Sequence, residues 1–191
     1  YDMEIENIYL LGDFGVKSRS AYTRRERRAM VTDGPFVITD APRELPDGDF
    51  TTNGLLFFAG TLKISQTLSV HKEPGKRVIL KIGNHNAPLV QVYVNGTKVK
   101  DSLWAPYEAD ITELAADGDN EIVCVVYASN RNLFGPHHHI DGECYNVGPE
   151  SFTGKWSWVE RKSEADATEI FDMDKNYWTD TYCFVEFGFP K

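Results

Sequence analysis

The sequence predicts an all-β sandwich or jelly roll, and three observations predict it. Apolar residues recur at alternate positions in several separate stretches, turn-forming residues divide those stretches, and helical periodicity is scarce. Alternation matters because successive side chains of a strand point to opposite faces, so a period of two marks one dry face and one wet face. Many short strands with few helices are the pattern of packed sheets.

Along the chain, residues 20–30 read as a short helix or solvated loop. Residues 41–48, with Pro42, Pro46 and Gly48, read as an irregular connection. That connection sets off residues 1–50 as an N-terminal arm or linker packed on the sandwich, within a single domain spanning all 191 residues. The clearest strand follows: Leu62, Ile64, Leu68 and Val70 alternate with Lys63, Ser65, Thr67 and Ser69. Val78, Leu80 and Ile82 repeat the beat, as do Val90, Val92 and Val94. Asn95-Gly96 comes next, and because both residues tolerate positive φ, the pair predicts a two-residue hairpin turn. Residues 112–116 read as a helical turn. Residues 117–120, Asp-Gly-Asp-Asn, turn the chain into residues 121–127, which are apolar on both faces and so predict a central strand covered on both sides. Residues 160–174 are rich in acids and read as an insertion. Cys183, Val185, Phe187 and Phe189 restore the alternation near the end.

Charge narrows the partners. Six of the 20 basic residues and one of the 29 acids lie in residues 17–28, which leaves 14 basic and 28 acidic residues elsewhere. A surface this acidic repels phosphate backbones, so nucleic acid is excluded as a partner and the basic stretch reads as solvated. The longest apolar run, residues 55–59, falls far short of the roughly 18 residues of a spanning helix, so no membrane span is expected. Cys124, Cys144 and Cys183 match neither zinc-ribbon nor Cys-x-x-Cys spacing. The chain begins Tyr1-Asp2 without a signal peptide, which sets the expectation of a fragment of a longer protein and leaves its compartment undecided.

Four segments in order carry a family resemblance: Val92-Tyr-Val-Asn-Gly96; Trp104-Ala-Pro-Tyr107 with Asp110-Ile111; Gly118-Asp-Asn-Glu-Ile122; and Asn132-Leu-Phe-Gly-Pro-His137. Together they resemble the galactose-binding-like jelly-roll domains attached to bacterial glycoside hydrolases, above all the sugar-binding domains of family 2 enzymes and the terminal sandwiches of rhamnosidase-like enzymes. The resemblance spans about residues 54–150, with residues 147–152 and 182–189 also similar to such terminal sandwiches. It implies a galactose-binding-domain-like jelly-roll β-sandwich that serves as a non-catalytic carbohydrate-binding or structural accessory domain. Its partners would be carbohydrate and the catalytic domain of a parent enzyme, which itself would be secreted or periplasmic. It calls for no cofactor, although some similar sandwiches hold a structural calcium. The physics of the segments is architectural: Trp104, Pro106 and Tyr107 read as a rigid plug in the core, and Asp110 as the cap of the turn after it.

Chemistry is sparse. His137, His139 and Glu143 form His-x-His-x-x-x-Glu, a spacing that can set two imidazoles and a carboxylate around a divalent metal and resembles the first half of the cupin motif. A cupin-like metal-dependent enzyme is therefore the alternative. Against it, Arg131 stands where that motif has glycine, and no histidine follows His139. The competing expectation is that these histidines line a loop and bond to backbone. A glycosidase needs two carboxyl groups across a cleft, and no pair stands out among the acids; in family 2 relatives they sit on a separate barrel domain too large for this chain. No catalytic residue is nominated. Gly-x-Ser-x-Gly is also absent. Sugar binding asks for exposed rings with polar groups at the rim. Trp156 and Trp158, two apart on one strand face, with Tyr177 and Trp178, are the aromatic candidates. Asn130, Arg131 and Asn132 are the rim candidates.

Overall fold

The computed structural model describes residues 8–148, 151–152 and 177–190. In order these contain β1 (Phe14–Ser18), β2 (Thr23–Arg24), β3 (Ala29–Thr32), β4 (Phe36–Asp40), β5 (Thr61–Val70), β6 (Ile79–Lys81), β7 (Leu89–Val94), β8 (Thr97–Ser102), β9 (Glu108–Asp110), β10 (Gly118–Tyr127), α1 (Arg131–Phe134) and β11 (Tyr182–Val185). Helix among the described residues is limited to the four residues of α1 and to residues 151–152, so the described chain is of the all-β kind. Its sheets are antiparallel: a four-stranded one in the order β5-β10-β7-β8, a three-stranded one in the order β11-β3-β2, and the pairs β1-β4 and β6-β9.

Strand β5 keeps the expected beat, with Leu62, Ile64 and Leu68 packed on the core and the intervening residues exposed. Strand β10 pairs with β5 along its whole length, from Gly118 opposite Val70 to Tyr127 opposite Thr61, and with β7 on its other edge. It is central, as its apolar sequence predicts. The β7–β8 hairpin turns on Asn95 (φ 49°) and Gly96 (φ 80°), the doubly positive geometry that Asn-Gly supplies cheaply. Val90, Val92 and Val94 are fully buried against Ala109, Ile111 and Phe187, which sets the core between the large sheet, the β6-β9 pair and the end of the chain.

Asp110 caps its turn as expected: its Oδ1 accepts from the Thr112 amide at 3.0 Å and from the Thr112 hydroxyl at 2.6 Å. A second apolar centre lies under β11. Phe184 is fully buried, and its ring meets Phe57 edge-on at 4.9 Å and Phe36 at 5.8 Å, while Phe36 meets Tyr182 at 4.7 Å.

Three expectations are corrected. Residues 20–30 hold no helix, because Arg27 (φ 53°) and Arg28 (φ 64°) take left-handed backbone and fold β2 back on β3, with the Arg25 amide donating to the Ala29 carbonyl at 2.8 Å. Trp104 is no core plug: it is 72% exposed on the loop after β8, where Leu103 is also exposed. The closing segment is not one-sided, since Phe184 and Glu186 are buried alongside Cys183 and Phe187; both faces of this segment are covered. The acid-rich residues 160–174 lie outside the described residues.

Candidate functional site

After α1 the three histidines run antiparallel to the segment leading into β11. The Thr179 amide donates to the His138 carbonyl at 3.2 Å, Cys183 to His137 at 2.6 Å, and Ile140 to the Tyr177 carbonyl at 2.8 Å; His139 and Trp178 form a bridge. The imidazoles serve the same junction. His137 Nε2 donates to the Asn132 carbonyl at 2.8 Å, and its ring lies against Phe57 and Phe184; burial pushes its pKa below the usual histidine value. His138 bonds the Thr179 and Thr181 carbonyls at 3.0 and 3.1 Å and stacks on Trp178 at 4.2 Å. His139 stacks on Tyr177 at 5.3 Å. The aromatic candidates Tyr177 and Trp178 are thus each stacked on a histidine, with Trp178 exposed at 39%. Trp156 and Trp158 lie outside the described residues.

Glu143 is not beside the histidines' nitrogens. It accepts from Arg131 Nε at 3.1 and 2.9 Å through its two oxygens, and Nη2 of the same guanidinium also bonds Oε2. No group of three His, Cys, Asp or Glu side chains among the described residues converges so as to hold a metal ion. The spacing of the His-x-His-x-x-x-Glu set does not survive folding as a cluster, because the backbone after Pro136 is zipped to another segment and a guanidinium takes the carboxylate.

The rim candidates divide. Asn130 is exposed as the residue before α1, while Asn132 is buried and acts as a surrogate strand residue: its Nδ2 donates to the Val185 carbonyl and its Oδ1 accepts from the Val185 amide, both at 2.8 Å. Arg131 and Asn132 reach the wall of a cavity of about 290 Å³ that also takes in Arg28, Phe58, His85, Asn86, Ser129, Glu186 and Phe187. Such a volume lies at the low end of the roughly 300–1,000 Å³ of small-molecule sites.

The cavity lining mixes polar and apolar residues. Phe58 and Phe187 stack at 5.9 Å. Glu186, its side chain 6% exposed, holds Arg24 at 2.6 Å. Arg28 Nη1 donates to Asn86 Oδ1 at 2.8 Å. His85 is buried between the Ala87 carbonyl, which takes its Nδ1 proton at 3.1 Å, and the Ser102 hydroxyl, which donates to Nε2 at 3.1 Å; burial holds its pKa down and the ring neutral. Among the described residues, the buried donors Asn86 Nδ2 and Arg131 Nη1 have no acceptor; their residues line the cavity, but the two atoms themselves are closed off from solvent. Unanswered buried donors are uncommon.

The sequence reading reached Arg131 and Asn132 but missed Arg28, Asn86 and Glu186. Arg28 sits in the basic stretch read as solvated, yet Arg24, Arg27 and Arg28 each fasten to a different distant partner: Glu186, the Glu143 carbonyl and Asn86. Burial raises the thiol pKa of Cys124, Cys144 and Cys183, the last to about 11, which disfavours their thiolate forms.

No protein-family model matches the chain, and no curated protein does. Among solved structures, the chain is similar to a rhamnosidase from Novosphingobium sp. PP1Y, at 18% identity over 94% of this chain and 16% of that one, with a TM-score of 0.40. It is also similar to an uncultured Clostridium sp. β-glucuronidase, at 17% identity over 64% of this chain and 24% of that one, TM-score 0.37. An FMN-binding β-glucuronidase from Facaelibacterium prausnitzii L2-6 follows at 23% identity over 61% and 18%, TM-score 0.36. These neighbours are glycoside hydrolases, and the chain spans a quarter or less of the length of each.

Proposed function

We propose that this chain is a non-catalytic, carbohydrate-binding accessory domain of a larger glycoside hydrolase, built as a galactose-binding-like jelly roll in which residues 1–191 form one unit. The observation that carries the reading is the cavity beside β11, whose lining combines stacked Phe58 and Phe187 with polar Arg28, His85, Asn86 and Glu186. An apolar floor with a few convergent polar groups is how proteins hold a sugar ring, whose C–H face and hydroxyl edge need both. Glu186 is the one carboxylate among the cavity residues, and Arg24 occupies it, whereas glycoside hydrolysis takes a pair. Trp156 and Trp158 remain in the proposal as further stacking surfaces.

Calorimetric titration of the chain against a panel of mono- and oligosaccharides tests this reading. Binding that disappears in Ser129→Trp, a change at the exposed rim of the cavity that leaves the fold intact, is the expected result. No binding across the panel removes the reading.

Bracing of a neighbouring domain is the second reading, favoured by the exposed Ile8, Leu10 and Leu11 beside Tyr9, whose ring meets that of exposed Phe134 at 5.7 Å. Replacing Ile8, Leu10 and Leu11 with serine should then weaken association with the parent catalytic domain and leave sugar binding unchanged; unaltered association would discard it.

A further inference from the structure

We infer that β5 is a self-pairing edge: two copies of the chain join antiparallel along this strand, about a two-fold axis at Gln66, into one closed dimer. The inference stands on the backbone of the large sheet and is independent of the carbohydrate reading.

The four-stranded sheet has two edges, and only one is guarded. An exposed strand edge invites another strand, and proteins blunt such edges with charge, bulges, proline or short length. Strand β8 is six residues long, carries Lys98, Lys100 and Asp101, and its pairing with β7 shifts register between Val92 and Tyr93. Strand β5 is ten residues long, pairs residue for residue with β10, and carries one charge, Lys63, and no proline. Among the described residues nothing pairs with its outer edge.

The direction of its backbone groups follows from its neighbours. The Asn95 amide donates to the Glu121 carbonyl at 2.9 Å and the Glu121 amide to Asn95 Oδ1 at 3.0 Å, so odd-numbered residues of β10 turn toward β7 and even-numbered ones toward β5. Ile122 stands opposite Gln66, so the even-numbered residues of β5 bond to β10. The odd-numbered ones then aim their amides and carbonyls away from the sheet.

Sequence selects the occupant. Read outward from Gln66, the strand is nearly the same in both directions: Ser65 matches Thr67, Ile64 matches Leu68, Lys63 sits with Ser69, and Leu62 matches Val70. An antiparallel second copy with Gln66 on the axis therefore sets Ile64 against Leu68 and Leu62 against Val70. All four are half-buried, and the apolar face continues across the seam. Ser65 with Thr67, and Lys63 with Ser69, exchange both hydrogen bonds, and no charge meets a like charge. Pairing consumes the unguarded edge of each copy, so assembly stops at two.

Sedimentation equilibrium of the chain from low to high micromolar concentration tests this, with a mass of twice 21.6 kDa expected at the upper end. Ser65→Pro removes an outward amide and no bond to β10, so it should keep the native circular dichroism and sediment as a monomer. Gln66→Lys, at an exposed position, sets two ammonium groups face to face and should weaken the dimer about fivefold, less at high salt. Gln66→Cys should cross-link the two copies on oxidation, whereas Ser69→Cys, which faces Lys63, should not. A monomer at every concentration overturns the inference. So does a dimer that Gln66→Lys leaves unweakened or that Gln66→Cys fails to cross-link, and species larger than two copies overturn the closed pairing.

Discussion

Arg131 and Glu143 grip each other through both carboxylate oxygens, with side chains only 13% and 18% exposed. The pair binds the start of α1 to the loop beyond the histidines, and Arg27 extends it by donating from Nε to the Glu143 carbonyl at 2.6 Å. A carboxylate that spacing alone would assign to a metal is thus an anchor for a guanidinium in the cavity wall.

Removing one partner of this pair leaves a largely buried charge unanswered. Glu143→Gln should cost about 3 kcal/mol in urea denaturation, while the double variant Arg131→Met/Glu143→Leu should cost less than the single changes added together. Additive losses would show that the two side chains act independently.

Asn132 replaces a missing strand rung. Asn132→Ala would leave the Val185 amide unpaired and its carbonyl held by the Thr51 hydroxyl alone, and should cost about 1–3 kcal/mol. Asn132→Asp keeps an acceptor for the amide but loses the donor to the carbonyl and adds a buried charge, so it should be no better. Thermal or chemical denaturation of the two variants gives the comparison.

Acid should destabilise the fold through His85 and His137. Burial lowers both pKa values, so below about pH 6.5 the unfolded chain takes up protons that the native state refuses. Their contribution is complete above that pH and is lost as pH falls through the depressed native values. Tm should drop on acidification from about pH 7.5 to 5, and His137→Gln should flatten the drop. An identical pH profile for that variant would remove His137 from the account.

Trp104→Ala should change stability by less than about 0.5 kcal/mol, because the ring is 72% exposed. A loss of several kcal/mol would return Trp104 to the core role that its bulk and its neighbouring proline suggest in sequence.

What was legible in sequence is what local periodicity and turn chemistry determine. The beat of residues 62–70, the Asn95-Gly96 turn and the Asp110 cap each depend on a few adjacent residues, and each stands as expected. Residues 20–30 misled because their hairpin depends on two arginines in left-handed backbone, a conformation their side chains do not advertise. Trp104 misled because bulk favours burial without saying where the loop goes. The cavity was illegible for a topological reason: its residues lie near positions 28, 58, 85–88, 128–132 and 185–187, and only tertiary pairing brings them together. Arg131 and Asn132 were reached on chemical type, as rim groups; their actual ties, to Glu143 and Val185, are long-range contacts that spacing does not encode.

The pairing of β3 with β11 joins residues 29–32 to residues 182–185, and the cavity sits where that closure is made. A molecule seated there would act as a clasp on the two extremities of the fold, adding its binding free energy to global unfolding and none to the opening of the β7–β8 hairpin. Hydrogen exchange with and without the bound sugar would then separate the amides of the clasped closure from those of the independent hairpin.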